Sequence, residues 1–255
     1  MMAHVRSSLR SRFRGCLVGA LAGDCLGCPF EWGTLLPKGV TLMEKVVEFF
    51  QSLAKTDKRE ATQLVFTDDT AMARSVAGSL IHCKGKYDAR DMALRFSEEF
   101  AKEPDRGYGA NVVSIFPALG DAGTADIYAP ARTQFGGSGS YGNGGAMRIA
   151  PVGLCSSKSL DRVIEIARES AKLTHSNHLG YNGAILQACA VHSALHSDLA
   201  SFDPTTFVDG LLKIMDEVEE ESGGRLYGSK LRLMKKMLEA DPSTDEVAKT
   251  LGACH

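Results

Sequence analysis

The sequence has 255 residues, 44% of them hydrophobic and 24% charged, which is typical of a single globular domain with a sizeable core. Its 29 Lys and Arg residues nearly balance 31 Asp and Glu residues, so the overall charge argues against a nucleic-acid-binding protein and leaves open only a local basic patch. The scattered cysteines are typical of free thiols in a reducing compartment, and no apolar run reaches the roughly 20 residues of a membrane span, so we expect a soluble protein.

The N-terminal segment is rich in arginine and serine and has no acidic residue before Asp24. Its arginines are Arg6, Arg10, Arg12 and Arg14. This composition is typical of a mitochondrial transit peptide and equally of a disordered basic tail. We therefore divide the chain into a basic tail at residues 1–12 and one domain at residues 13–255.

The first predicted helix, RGCLVGALAGDCLG at residues 14–27, repeats glycine every four residues. These glycines, Gly15, Gly19, Gly23 and Gly27, share one helical face, which another backbone could approach closely. Because each glycine costs about 1 kcal/mol in a helix interior, we expect a central core helix, ended by Pro29. The carboxylate of Asp24 within this helix needs a partner.

Glu31 follows this helix, between Phe30 and Trp32 in a segment with turn character. A carboxylate beside aromatic rings can have a raised pKa and act as a general acid or base. An ordinary solvated side chain beside the tryptophan is an equally good interpretation.

Two adjacent carboxylates stand between two hydroxyls in FTDDT, residues 66–70. The apolar residues that follow recur at helical spacing, so Thr67 or Asp68 is the predicted N-cap of a helix that ends near His82. One interpretation is a doubly acidic helix cap. The other is a Mg²⁺ or Ca²⁺ site, because Asp68, Asp69 and threonine oxygens are hard ligands. The apolar residues on both sides favour the metal site.

The rest of the chain is predicted to be helical, with a charged loop at residues 55–60 and no convincing strand. Helices are expected at residues 43–53, 89–102, 110–119, 161–175, 179–195, 204–221 and 229–239, several of them with polar N-caps (Asp88, Ser159, Asp203), followed by a Ser243-x-x-Glu246 capping box. We therefore predict an all-α domain with helices packed at varied angles.

The glycine-rich segment at residues 135–145 cannot form a stable regular element, and its backbone N–H groups could bind phosphate. Within it, GSGSYG at residues 137–142 matches the G-x-G-x-x-G dinucleotide fingerprint, and Asp161 stands at the distance of a ribose-binding acid. However, no strand precedes the segment, and Pro130 interrupts the residues before it. We therefore reject a Rossmann fold.

Two histidine pairs are candidate ligands. His192 and His196 have zincin spacing, but Ser193 stands where the catalytic glutamate is needed, so we interpret the pair as structural. His175 and His178 lie at a corner between two helices, where a histidine can reach a ligand, although an isolated histidine is more often structural.

Four segments in order, RGCLVGALAGDCLG with a following Glu, FTDDTAMA, GSYGNGGAMR and LTHSNHLGYNGAILQA, resemble the ADP-ribosyl-acceptor hydrolase (ADP-ribosylglycohydrolase) family. The similarity runs from about residue 13 to about residue 252. It is greatest to the animal members that remove ADP-ribose from serine and degrade poly(ADP-ribose). The resemblance implies a compact multi-helix all-α domain with two Mg²⁺ ions in a cleft.

The resemblance also implies roles for individual residues. It makes Thr67, Asp68 and Asp69 metal ligands, with Asp68 also contacting the substrate, and makes Glu31 the catalytic general acid/base. Asp24 becomes a supporting carboxylate. The implied substrate-binding residues are Phe135, Ser138, Gly139, Ser140, Tyr141, Gly142, Asn143, Gly144 and His175, of which Ser138 to Gly144 form the loop that holds the diphosphate and distal ribose.

The implied activity is Mg²⁺-dependent hydrolysis of O-glycosidic ADP-ribose linkages, in ADP-ribosyl-serine, poly(ADP-ribose) and O-acetyl-ADP-ribose. The implied partners are ADP-ribosylated proteins, poly(ADP-ribose) and ADP-ribose, with no direct DNA or membrane binding, and a monomer for the complete family member. Such an enzyme would act in the DNA damage response in nucleus and cytoplasm, and in the mitochondrial matrix if the basic N-terminus is a transit peptide.

One departure from the family concerns a second acidic motif, Gly-Asp-x-Asp-Thr, which completes the metal cage and is absent between Gly145 and His255. We expect from this a chain that lacks the C-terminal part of its domain, with one weak Mg²⁺ site and exposed apolar surface on the helices at residues 179–195 and 207–218. The alternative function is then a catalytically impaired, ADP-ribose-binding form of the hydrolase.

Overall fold

The computed structural model describes residues 8–31, 46–49, 51–52, 64–155, 158–240, 242–243, 246–247 and 250, and it contains helices and no β-strand in these ranges. This confirms the predicted all-α fold class. The first described helices are α1 (Leu9–Glu31), α2 (Asp68–His82), α3 (Ala89–Lys102) and the shorter α4 (Ile115–Gly120). Short elements follow: α5 (Ala129–Thr133), a 3₁₀ turn (Gln134–Gly137), α6 (Gly144–Met147) and α7 (Ala150–Cys155). The last are α8 (Leu160–Lys172), α9 (His178–His196), a 3₁₀ turn (Leu199–Ser201), α10 (Pro204–Ser222) and α11 (Leu226–Ala240).

The predicted N-caps are confirmed. Side-chain oxygens accept hydrogen bonds from first-turn N–H groups at α2, α3, α8 and α10, through Thr67, Asp88, Ser159 and Asp203 respectively. Ser243 and Glu246 form the predicted capping box, since the Ser243 N–H donates to Glu246 Oε2 (2.9 Å) and the Glu246 N–H donates to Ser243 Oγ (3.3 Å). These bonds satisfy backbone donors that a helix leaves unpaired at its start.

The core is built around α9, which packs against α6, α7, α8, α10 and α11. Its residues Ile185, Ala188 and Cys189 are fully buried. A second part of the core lies where α2 packs on α3, with Met72 and Phe96 fully buried. The loop before α6 and the N-terminus of α2 are thus carried by two well-packed helical layers.

The prediction of a central core helix at residues 14–27 is wrong. No residue of α1 is buried, and a Cβ added at any of its four predicted contact glycines would meet no atom of the described chain within 4 Å. Glycine spacing creates a face that permits close approach, but it does not supply a neighbour. Instead, Arg12 anchors α1 by donating to the carbonyl oxygens of Leu195 and Ser197 at the end of α9 (2.8 and 2.5 Å).

The bounds of α1 also differ from the prediction. The helix already includes Leu9–Arg12, which lie inside the predicted basic tail, and it continues through Pro29 to Glu31. A proline so near the end removes only one backbone bond, so the helix tolerates it.

The apolar exposure expected at residues 179–195 and 207–218 is not found there, because Ile185 and Met215 are fully buried. Exposed apolar side chains lie on α1 instead, among them Leu17 and Val18.

Some predicted elements fall outside the described ranges. The charged loop at residues 55–60 and Trp32 lie there, as does part of the helix predicted at residues 43–53, of which 46–49 and 51–52 are helical. Among the helices that are described, none combines the length and hydropathy of a membrane span.

Core packing can be tested with two isoleucines of opposite exposure. Ile185 is 0% exposed and Ile81 79% exposed. We expect Ile185→Ala to lower the free energy of unfolding by about 2–4 kcal/mol, because it leaves a cavity beneath α9. The matched control Ile81→Ala should change it by less than about 0.5 kcal/mol. Urea unfolding followed by circular dichroism measures both, and similar losses in the two variants would contradict this packing.

Candidate active site

A cleft of about 440 Å³ lies between the N-terminus of α2 and the glycine-rich loop before α6. We call it the acidic cleft. One wall carries Glu31, Asp68 and Asp69, and the other carries Ser140 and His175. The remaining lining comes from Gly107–Val112 (Gly107, Tyr108, Gly109, Asn111, Val112), Phe116, Gly142, Asn143, Gly144, Met147 and Arg148.

Asp24 joins α1 to the first turn of α2. Its carboxylate accepts hydrogen bonds from the N–H of Thr67 (2.9 and 3.1 Å) and from the N–H of Thr70 (3.1 Å). These donors belong to the helix N-terminus, where the macrodipole also favours negative charge. The partner expected for Asp24 is therefore the start of α2.

The carboxylates of the cleft destabilise one another's charged forms. The pKa values of Asp68 and of Asp69 are raised to about 6, mainly by burial and additionally by the neighbouring acids Glu31 and Asp24. The pKa of Glu31 is raised by burial and then by Asp24. No ion pair among the described residues involves any of the four. Hard oxygens without a neutralising cation fit the requirements of Mg²⁺.

The ligand spacing indicates how such an ion would be held. In the described ranges, the only three His, Cys, Asp or Glu side chains that bring ligand atoms within 4.8 Å of one another are His82, Cys83 and Asp91, at the opposite end of α2. Asp91 is already paired with Arg95 there (2.8 Å), so this set is a surface ion-pair network. In the cleft, one or two carboxylates with water and ligand oxygens would complete the shell, as Mg²⁺ commonly requires.

The glycine-rich loop lies against the N-terminus of α9. Asn177 Nδ2 donates to the carbonyl oxygen of Ser138 (2.9 Å), and a Cβ at Gly180 would come within 2.7 Å of Ser140 O. Gly139 has φ of +73°, and a Cβ there would lie 2.7 Å from the Asn177 N atom, so only glycine fits. The structure thus brings Ser140, Gly142, Asn143 and Gly144 into the cleft lining, whereas Ser138 and Gly139 hold the loop from behind.

Two predicted ligand residues lie beside the cleft lining. Phe135 is 48% and Tyr141 67% exposed, and their ring centroids are 6.2 Å apart at 36°. Phe135 has a positive φ of 51°, which is strained for an aromatic residue. Whether this exposed aromatic pair contacts a ligand stays a prediction.

Thr67 is buried, and its Oγ1 already accepts a hydrogen bond from the N–H of Asp69 (3.3 Å). As a metal ligand it would use its second lone pair. His192 and His196 lie outside the cleft lining, with His196 Nδ1 donating to His192 O (2.8 Å).

Sequence reasoning missed several residues that line the cleft. Arg148 is fully buried, and its Nη2 donates to Ser170 O (3.2 Å) and Thr174 Oγ1 (2.7 Å). Burial lowers its pKa to about 10, so it stays charged at neutral pH. A single cation in the apolar stretch AMRIAP was the available signal. Tyr108, between two glycines of a turn, was likewise not considered.

The family model described as ADP-ribosylglycohydrolase matches residues 5–254. The ADP-ribosylhydrolase ARH3 of Xenopus tropicalis is 44% identical over 254 residues, which cover 95% of this chain and 69% of the relative. Its Homo sapiens counterpart is 44% identical over 255 residues, covering 95% and 68%. Uncharacterized protein YegU of Escherichia coli is 27% identical over 221 residues, covering 82% and 60%.

The repulsion in the acidic cleft can be measured as a stability difference. Because the pKa of Asp69 is raised to about 6 from 3.8, its charge destabilises the metal-free fold above pH 6, and this cost disappears as the pH falls below 4. With EDTA at pH 7.5, Asp69→Asn should therefore raise the free energy of unfolding by about 1 kcal/mol, after allowance for solvent screening. At pH 4 the gain should vanish.

Asp161→Asn is the matched control, because Asp161 is exposed and also second in its helix, α8. It should lower the free energy of unfolding by a few tenths of a kcal/mol through the lost helix-dipole interaction. Urea unfolding at both pH values gives the comparison. If both variants lose stability equally at pH 7.5, the four carboxylates do not repel one another as described.

Proposed function

The chain belongs to the ADP-ribosylglycohydrolase family and is a hydrolase of ADP-ribosyl groups, and we propose that it cleaves O-glycosidic ADP-ribose linkages with Mg²⁺ bound in the acidic cleft. The observation that carries the proposal is the meeting, in one cleft, of unneutralised carboxylates and a glycine-rich loop. The first is a site for a hard cation, and the second is a site for phosphate oxygens.

We propose three substrate types, ADP-ribosyl-serine on proteins, poly(ADP-ribose) and O-acetyl-ADP-ribose. They share an ester or acetal oxygen next to a ribose that carries a diphosphate. The loop at residues 140–144 would bind the diphosphate through backbone N–H groups, and its glycines leave room for close approach. The ribose would then lie toward Asp68 and Glu31 on the opposite wall.

Thr67, Asp68 and Asp69 would hold Mg²⁺, which supplies positive charge for orienting the ribose hydroxyls and lowering the pKa of a bound water. The raised pKa values of Asp68 and Asp69 support this assignment, because these carboxylates gain most from a neutralising ion. Asp24 would keep the ligand-bearing turn in place through its bonds to the Thr67 and Thr70 N–H groups.

Glu31 would move the proton at the scissile bond. It is the last residue of α1 and lines the cleft, where burial and Asp24 raise its pKa toward the range of an effective acid or base. In the reaction the bond from the anomeric carbon to the leaving oxygen breaks, and a water oxygen bonds to that carbon. The Glu31 carboxyl would donate a proton to the leaving oxygen, and the resulting carboxylate would accept the proton that the attacking water loses.

The proposal is tested by incubating the chain with an ADP-ribosyl-serine peptide and following release of ADP-ribose. We expect release in Mg²⁺ and none in EDTA. Binding of ADP-ribose without release in Mg²⁺ would favour the alternative, an ADP-ribose-binding form without turnover. Release that is unaffected by EDTA would show that the acidic cleft does not use a metal ion.

Glu31→Gln separates chemistry from binding. We expect turnover of the peptide to fall by about 100-fold or more, because the amide cannot exchange a proton at the leaving oxygen. The affinity for ADP-ribose, measured by calorimetry, should change by less than about threefold, because the diphosphate lies on the other wall. Glu98→Gln, on the exposed face of α3, is the control and should leave both quantities unchanged. Equal losses of turnover and affinity in Glu31→Gln would indicate a structural role.

A further inference from the structure

A hydrogen-bonded chain runs from the buried core to the acidic cleft through Arg148, Thr174 and His175. Arg148 Nη2 lies 2.7 Å from Thr174 Oγ1, and Thr174 Oγ1 lies 2.7 Å from His175 Nδ1. Arg148 and Thr174 are fully buried, and His175 is 5% exposed, with its exposed edge in the cleft. The three side chains differ in how many hydrogen bonds they can donate, and this difference decides where the protons of the network lie.

The direction of these hydrogen bonds follows from the Arg148 guanidinium, which can only donate. Thr174 Oγ1 therefore accepts from Arg148. The hydroxyl has one proton to give, and the only other partner of Thr174 Oγ1 in the described chain is His175 Nδ1. The hydroxyl donates to Nδ1, so Nδ1 carries no proton and the imidazole proton resides on Nε2.

The opposite arrangement, in which Nδ1–H donates to Thr174, is disfavoured. Thr174 Oγ1 would then accept two hydrogen bonds, and its own proton would be buried with no acceptor, which costs the desolvation free energy of that group without compensation. A doubly protonated imidazole meets the same objection. It is further disfavoured because burial, and then the charge of Arg148, lower the pKa of His175 to about 3.

The remaining nitrogen, Nε2, faces the glycine-rich loop. A Cβ at Gly144 would lie 2.8 Å from it and a Cβ at Gly142 3.5 Å, so it occupies the space that the missing side chains leave. No hydrogen bond of the described residues uses Nε2. An unsatisfied N–H donor thus points into the part of the cleft where phosphate oxygens are expected.

We propose that Arg148 and Thr174 are positioning residues that hold His175 in the neutral Nε2–H tautomer, so that it donates a hydrogen bond to a ligand oxygen beside the loop. The identity of that oxygen, a diphosphate or ribose oxygen of ADP-ribose, rests on the proposed function. The tautomer of His175 does not depend on the proposed function. A neutral His175 can bind a hydrogen-bond acceptor without adding its own positive charge beside the loop. The positive charge that attracts the ligand would then come from the metal site.

Long-range ¹H–¹⁵N NMR of the ¹⁵N-histidine-labelled chain at pH 7 tests the tautomer directly. The chain has 7 histidines, and the His175→Gln spectrum assigns the signal of His175. We expect Nδ1 to appear as the unprotonated nitrogen and Nε2 as the protonated one. A protonated Nδ1 in the unmodified chain overturns the proposal without any variant of Thr174.

Thr174→Val keeps the shape of the side chain and removes its hydroxyl. We expect loss of the single tautomer and roughly tenfold weaker ADP-ribose binding. Thr174→Ser keeps the hydroxyl and should retain the original spectrum and affinity, even if both variants lose thermal stability. Unchanged affinity in a folded Thr174→Val protein, or failure of Thr174→Ser to retain the tautomer, would mean that the hydroxyl is merely structural.

The two hypotheses fail separately. If ADP-ribose does not bind the unmodified chain, the proposed function fails, while the spectra of the unmodified chain and of Thr174→Ser still decide the tautomer. If Thr174→Val does not fold, those same two spectra, with ADP-ribose titrated into each, decide the proposal.

Discussion

The concentration of carboxylates at the N-terminus of α2 is the constraint on which the rest of the site depends. Asp68 and Asp69 begin the helix, and two further acids from α1 approach them. Backbone donors offset part of the repulsion, because Asp24 binds first-turn N–H groups that have no helical partner. The raised pKa values of Asp68 and Asp69 show that the offset is incomplete. The remaining repulsion is removed by protonation of the carboxylates at low pH and, we propose, by Mg²⁺ at neutral pH.

Arg148 is fully buried in the core and also contributes to the lining of the cleft. A fully buried guanidinium is costly, and it is retained here because its ring contact with Phe96 (4.4 Å) and its bonds to Ser170 and Thr174 compensate the lost hydration. Its charge offsets part of the rise that burial causes in the pKa of Asp68, and it adds to the fall that burial causes in the pKa of His175. One residue thereby favours a charged carboxylate on one wall of the cleft and a neutral imidazole on the other.

The features that the sequence predicted well are those that depend on local chemistry. The N-caps Thr67, Asp88 and Ser159 depend on a few neighbouring atoms, and the structure confirms them. Residue type also marked the carboxylates and the glycine-rich loop as candidate sites, and the structure brings most of them into one cleft, while their ligands stay a prediction. The place of α1 was not, since equal glycine spacing fits a buried and an exposed face alike. Arg148 was missed because its role arises only from side chains brought together by folding, 22 and 26 residues away.

The two walls of the cleft make cation and ligand binding interdependent. Under the proposed function, a diphosphate held by the loop would lie across the cleft from the carboxylates, and two like charges about 4 Å apart repel by about 4 kcal/mol at the effective dielectric constant of a protein surface. A cation between them converts this repulsion into two attractions. By linkage, the ligand must strengthen cation binding by the same factor by which the cation strengthens ligand binding. Because His175 is neutral and Arg148 is buried behind it, neither replaces the cation at the exposed face of the cleft. We therefore expect the affinity for an anionic ligand to depend on whether a cation occupies the acidic wall.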